Sequence, residues 1–172
     1  MFLFSFESFE DGMQAGDEYR NRRNWIGPWS LSLVMAKSCY RIVLEKFPKH
    51  PDRYRAAQMY GVCCRMQHHS DEGIHWLVNK ALVELQRLRL PKEEHDVIAA
   101  GIHRDIGMCL SDLRSAAEAK LEFQLALDFD PFLPPGQPAR RDPLPGDHLP
   151  GVHPFPSRTR PLSPEQPMVV GR

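Results

Sequence analysis

The sequence predicts an all-α protein in which antiparallel helical hairpins occupy residues 30–131 and a disordered, proline-rich tail follows. Two observations carry this. Apolar residues recur at three- and four-residue steps in five successive runs, each bounded by proline, glycine or a capping residue. Twelve of the 16 prolines fall between Pro131 and Pro167, where neither helix hydrogen bonding nor a sheet ladder can be sustained. The expected organisation is a partly ordered N-terminal segment (1–29), a helical domain (30–131) and a disordered tail (132–172).

The first run spans Ser30 to Phe47, with Leu33, Val34, Ala36, Tyr40, Val43 and Leu44 on one stripe and Pro48 as its stop. Pro51 suits the first turn of a second helix through Tyr54, Ala57, Tyr60, Gly61 and Cys64. Ser70 followed by Asp71 and Glu72 reads as an N-cap with acids in the first turn, opening a third helix through Ile74, Leu77, Ala81 and Leu85. Pro91 opens the fourth, which carries Val97, Ile98, Ile102, Ile106 and Leu110, and Ser115 to Glu118 forms a capping box for the fifth, with Ala119, Phe123 and Ala126. Connections this short make consecutive helices antiparallel neighbours, which leaves either a closed five-helix bundle or a solenoid.

Charge excludes some partners. Lysine plus arginine balances aspartate plus glutamate at 22 each, with no long block of one sign, so neither nucleic acid nor an anionic membrane surface is expected. Cys39, Cys63, Cys64 and Cys109 all fall inside apolar helical patterns, which predicts reduced core thiols and a cytoplasmic or nuclear location. The apolar opening from Phe2 to Phe6 lacks a basic flank and is cut short by Glu7 and Glu10, so no signal peptide is expected. No run approaches the length of about 20 apolar residues needed to span a bilayer.

One pattern recurs along the helices. Ala119, Phe123, Ala126 and Pro131 are spaced by four, three and five residues, as are Ala36, Tyr40, Val43 and Pro48. Gly61 and Gly73 are separated by the same 12 residues as Gly107 and Ala119, and Leu77 follows Gly73 as Phe123 follows Ala119. These residues resemble the signature of the tetratricopeptide repeat, which pairs a glycine on one helix with a small residue, an aromatic and a terminal proline on the next. The small side chains stand where two helix axes cross closely, Gly107 and Ala119 being expected to touch, with Tyr40 and Phe123 filling the space between paired helices. Two departures stand out: Lys80 occupies a place where a small residue belongs, with Ala81 one position late, and Asn24 occupies the glycine place upstream of Ala36. Because Gly27-Pro28 breaks any helix through Arg20 to Trp25, the first unit is expected to be half a repeat, covered by Trp25, Trp29 or the Phe2 to Phe9 cluster.

The resemblance implies a short right-handed solenoid that binds other proteins without catalysis or cofactor, along the first helix of each pair. The residues implied are Arg55, Gln58, Val62, Arg65, Arg104, Met108 and Ser111, a mixed surface suited to an extended or helical peptide with acidic and apolar residues. A clamp for the acidic C-terminus of a chaperone is not supported, because Gln58, Val62, Arg104 and Met108 replace its lysines and asparagines.

Chemistry-bearing clusters are sparse. Cys64 and His68 stand at an i, i+4 step that would suit zinc if both lay on one helix face, yet Cys64 falls on the core stripe. No nucleophile elbow or glycine-rich cradle is present, and Glu93-Glu94 is explained by a helix N-terminus. In the tail, Arg158, Pro161 and Pro164 match the polyproline II spacing read by SH3-like grooves, an alternative route to a partner, and Ser163-Pro164 is a candidate phosphorylation site.

Overall fold

The computed structural model describes residues 4–21 and 31–133, and these belong to a unit spanning residues 1–142. Trp25, Trp29, the segment 134–172 and with it Arg158, Pro161, Ser163 and Pro164 lie outside the described residues. Among those described, all regular structure is helical. The segments are α1 (Phe9–Asn21), α2 (Leu31–Lys46), α3 (Arg53–Met66), α4 (Ser70–Trp76), α5 (Val83–Gln86), α6 (Lys92–Asp112) and α7 (Ala116–Phe129). Between α4 and α5 runs a π-helical segment, Leu77–Leu82, with right-handed backbone at both junctions, so Ser70 to Gln86 is one continuous rod. The five expected helices are all present, and α1 is a sixth.

Packing follows chain order. The main contacts join α1 to α2, α2 to α3 and α3 to α4, after which α6 lies against α3, α4 and the π segment and carries α7 on its other side. One buried apolar cluster runs from Phe6 and Phe9 through Leu33, Tyr40 and Val43 to Leu77, Leu85, Ile102 and Cys109.

The helix α1 was not expected. It packs on α2 with Gly16 beneath the Tyr40 ring and Gly12 against Val43 and Phe6. The glycine that meets Tyr40 is therefore Gly16, eight residues upstream of Asn24, and Asn24 itself lies outside the described residues. Phe6 and Phe9 are buried, and Phe9 stacks on His50 at 3.9 Å, which closes the lower end of this pair.

The same close approach recurs twice. A Cβ built on Gly61 would stand 2.9 Å from Leu77 Cγ, and one on Gly107 would stand 2.7 Å from the Phe123 ring. In all three pairs a glycine on the first helix is covered by a large side chain of the second, and any larger residue would force the axes apart. For Gly107 the covering group is Phe123, while the expected backbone-level touch is made by Gly61 and Gly73.

Turn geometry repeats as well. Beyond α3, His68 has φ 62° and the His69 N–H donates to Cys64 O at 2.9 Å; beyond α6, Arg114 has φ 62° and the Ser115 N–H donates to Leu110 O at 2.9 Å. These are the left-handed helix terminations in which the chain reverses while satisfying a terminal carbonyl, and every residue of the second stands 46 positions after its counterpart in the first. Ser115 is the N-cap residue of α7 but makes no side-chain capping bond, and Ser70 is not a cap at all: it is the first residue of α4, buried, with its hydroxyl donating to Asp112 Oδ2 at 3.5 Å.

The π segment resolves the misplacement at Lys80. A π turn holds one residue more than an α turn, so the extra position is absorbed within Leu77–Leu82, Lys80 rotates to solvent and Ala81 becomes fully buried. Ala81 thus takes the place that Val43 takes in α2 and Ala126 in α7, all three buried.

Candidate interaction surface

The residues singled out on α3 and α6 form a matched set. Gln58, Val62 and Arg65 stand 46 positions before Arg104, Met108 and Ser111, at the same distance from the glycine of their own pair. Of these, Gln58 and Arg65 reach across the approach of α3 to α6.

Two bridges cross that approach. The Gln58 amide Nε2 donates to Asp105 Oδ2 at 2.7 Å, and the Arg65 guanidinium lies 3.5 Å from Asp112 Oδ2. Arg104 lies 3.6 Å from Asp105 Oδ1, and Arg55, on the exposed start of α3, lies 3.5 Å from Asp17 on α1. Asp17 also accepts a 2.7 Å hydrogen bond from the Tyr40 hydroxyl and pairs with Arg20, so one carboxylate joins α1, α2 and α3. Val62, Met108 and Ser111 are half-buried, which leaves part of each on the surface beside these pairs.

Asp105 is the chemically unusual member, with 5% of its surface exposed. Burial pushes its carboxyl above the ordinary range, and the Gln58 hydrogen bond with the Arg104 and Arg65 charges only partly offsets that cost. Neither Asp105, Asp112 nor Asp17 was singled out in the sequence. For Asp105 a signal existed: it falls on the buried stripe Ile102, Asp105, Ile106, Cys109, an acid at an apolar helical position. For Asp17 and Asp112 none did, since their partners are remote in sequence.

A second polar cluster lies between α2, α3 and α4. Lys37 Nζ donates to both Glu72 oxygens at 3.3 Å and stands 4.9 Å above the Tyr60 ring, and the Tyr60 hydroxyl donates to Glu72 at 3.1 Å. Burial raises the Glu72 carboxyl, but Lys37 and the surrounding donors outweigh it and hold Glu72 below the usual carboxylate range. A shallow depression beside it is lined by Val34, Lys37, Ser38, Arg41, Tyr60 and Gln67.

All four cysteines are buried free thiols. Burial pushes Cys63, Cys64 and Cys109 up to about 12 and Cys39 up to about 11, so none is a thiolate near neutrality. Cys64 and His68 do not share a helix face, because His68 is the exposed residue of positive φ beyond the end of α3. No three His, Cys, Asp or Glu side chains among the described residues converge as a metal ion requires. No helix among them is long and apolar enough to cross a membrane.

Comparison of the chain with protein-family models, with curated proteins and with solved structures finds no match.

Proposed function

We propose that the helices form a degenerate tetratricopeptide-like array, a short right-handed solenoid that binds a segment of another protein and performs no catalysis. The observation that carries this is the triple recurrence of one contact: Gly16 under Tyr40, Gly61 under Leu77 and Gly107 under Phe123. The matched turns at His68 and Arg114 support it independently. A repeat whose units stack on their neighbours presents a continuous face rather than an enclosed pocket, and such faces recognise extended or helical peptides.

The binding face proposed is Arg55, Gln58, Val62 and Arg65 on α3 with Arg104, Met108 and Ser111 on α6. Each arginine already stands beside an aspartate. An acidic ligand group must therefore compete with Asp17, Asp105 or Asp112, and Val62 with Met108 supply the apolar contact that sets affinity. Buried, protonated thiols favour a reducing compartment, cytoplasmic or nuclear.

Panning a displayed random-peptide library against the full chain tests this. Selected peptides should lose at least about tenfold in affinity for the Val62→Glu, Met108→Glu double variant, an effect of the size expected for central apolar contacts. They should bind the Arg158→Ala, Pro161→Ala, Pro164→Ala variant unchanged. Recovery of no peptide, or loss confined to the tail variant, overturns the assignment.

A further inference from the structure

Among the described residues nothing packs on the outer face of α7. The inner face is fixed on α6 by buried Ala119 and Ala126, by Phe123 over Gly107, by Phe129 stacked on His103 at 5.4 Å and by His103 Nδ1 at 2.7 Å from Glu122. Away from it lie Ala117, Lys120, Leu121, Gln124, Leu127 and Asp128, all exposed, with Leu121 at 66% and Leu127 at 37%, and Leu125 flanks this stripe at 40%. The alternating steps of four and three along Ala117, Leu121, Gln124 and Asp128 give about the 3.5-residue spacing with which one helix seats along another.

Comparison with α2 shows what this face lacks. Ala119, Phe123 and Ala126 correspond to Ala36, Tyr40 and Val43, so Leu127 corresponds to Leu44. Leu44 is 7% exposed in a helix that has α3 packed against it, whereas α7 has no following helix among the described residues. An apolar position covered in one pair is open in the last.

The order of residues on the open stripe identifies its occupant. Around Gln124 the stripe is complementary to its own reversal: Leu121 and Leu127 lie three residues to either side, and Lys120 and Asp128 lie four to either side. An antiparallel partner of the same sequence with its two-fold axis at Gln124 sets leucine on leucine and Lys120 against Asp128 twice, each Asp128 also accepting a 2.9 Å hydrogen bond from Gln124 Nε2 of its own helix. Lys120 forms no ion pair among the described residues and is free to make this one. We propose that two copies of this chain associate through α7 in an isologous, antiparallel dimer. A 14-residue helix offers an edge of about 21 Å, so the contact is small and the dimer dissociates on dilution.

Sedimentation velocity of the full chain across micromolar concentrations tests this, with circular dichroism confirming that each variant is as helical as the parent. A concentration-dependent dimer is expected. Lys120→Glu alone and Asp128→Lys alone should each weaken it about tenfold or more, because each places like charges opposite one another twice. The two substitutions in one chain, or an equimolar mixture of the two single variants, should restore association, which a merely damaged surface would not do. A monomer at every concentration, as coverage of α7 by another segment or another protein would give, overturns the proposal. So does a dimer indifferent to the single reversals, or one that the double reversal does not restore.

Discussion

Gly61 and Gly73 meet backbone to backbone: a Cβ on Gly61 would stand 3.1 Å from Gly73 O, and a Cβ on Gly73 would stand 3.0 Å from Gly61 O. Carbonyl groups fixed in helices cannot swing aside, so α3 and α4 must separate if either site gains a side chain. Gly61→Ala should therefore destabilise, because overpacking of about 1–3 kcal/mol exceeds the gain of about 1 kcal/mol in helix propensity. Gly101 is the control. A Cβ there meets only Gln58 Nε2, at an ordinary 3.7 Å, so Gly101→Ala should stabilise by about 0.5–1 kcal/mol. Urea titrations followed by circular dichroism read both signs.

Asp17 joins three helices through Tyr40, Arg20 and Arg55. Tyr40→Phe should cost about 1 kcal/mol, the net worth of one hydrogen bond. Asp17→Ala should cost more, about 1–3 kcal/mol, since it leaves the fully buried Tyr40 hydroxyl without its acceptor. An equal cost for the two variants would show that neither the orphaned hydroxyl nor the arginine pairs contribute measurably.

The thiols set a pH dependence. Folding raises Cys63, Cys64 and Cys109 from 9.0 to about 12, so between those values the folded chain holds protons that the unfolded chain releases. Stability from this source is complete below pH 9 and falls as pH rises toward 12. From this source denaturation midpoints should hold steady up to pH 9 and decline above it, and a thiol reagent at pH 8 should label the folded chain far more slowly than the unfolded one. Fast labelling of the native chain would contradict the burial of these groups.

Deletion of Lys80 should be tolerated. Removing one residue from a regular helix rotates everything beyond it by about 100°, but here it lets the π segment relax to α-helix while Ala81 and Leu85 keep their buried places. The same deletion at Gln124 in α7, where no surplus residue exists, should abolish cooperative unfolding. Thermal melts of the two deletions give the comparison, and equal damage would mean that Leu77–Leu82 does not absorb an insertion.

Local chemistry made some of this fold legible. Pro48, Pro91 and the apolar steps placed five helices, and the spacing of Gly107, Ala119 and Phe123 marked the pairing of α6 with α7, because such signals lie within neighbouring helices joined by a short turn. The helix α1 was not legible. Its stripe of Phe9, Gly12, Met13 and Gly16 contains two glycines, which look like helix breakers until Tyr40 and Val43 are seen to need their space. The matched spacing of positions on α3 and α6 was legible, but not the aspartates beside their arginines, since Asp17 meets Arg55, and Asp112 meets Arg65, across gaps no local pattern spans.

By itself the sequence determined where helices form, which faces are apolar and where one pattern recurs, for those properties depend on side-chain spacing and backbone preference over a few residues. Only the tertiary structure decided which glycine answers which ring, how the π segment restores Ala81 to the interior, and which aspartate stands beside each arginine. Close packing is a relation between surfaces distant along the chain, and a single inserted residue or a longer loop shifts its register while leaving every local preference unchanged.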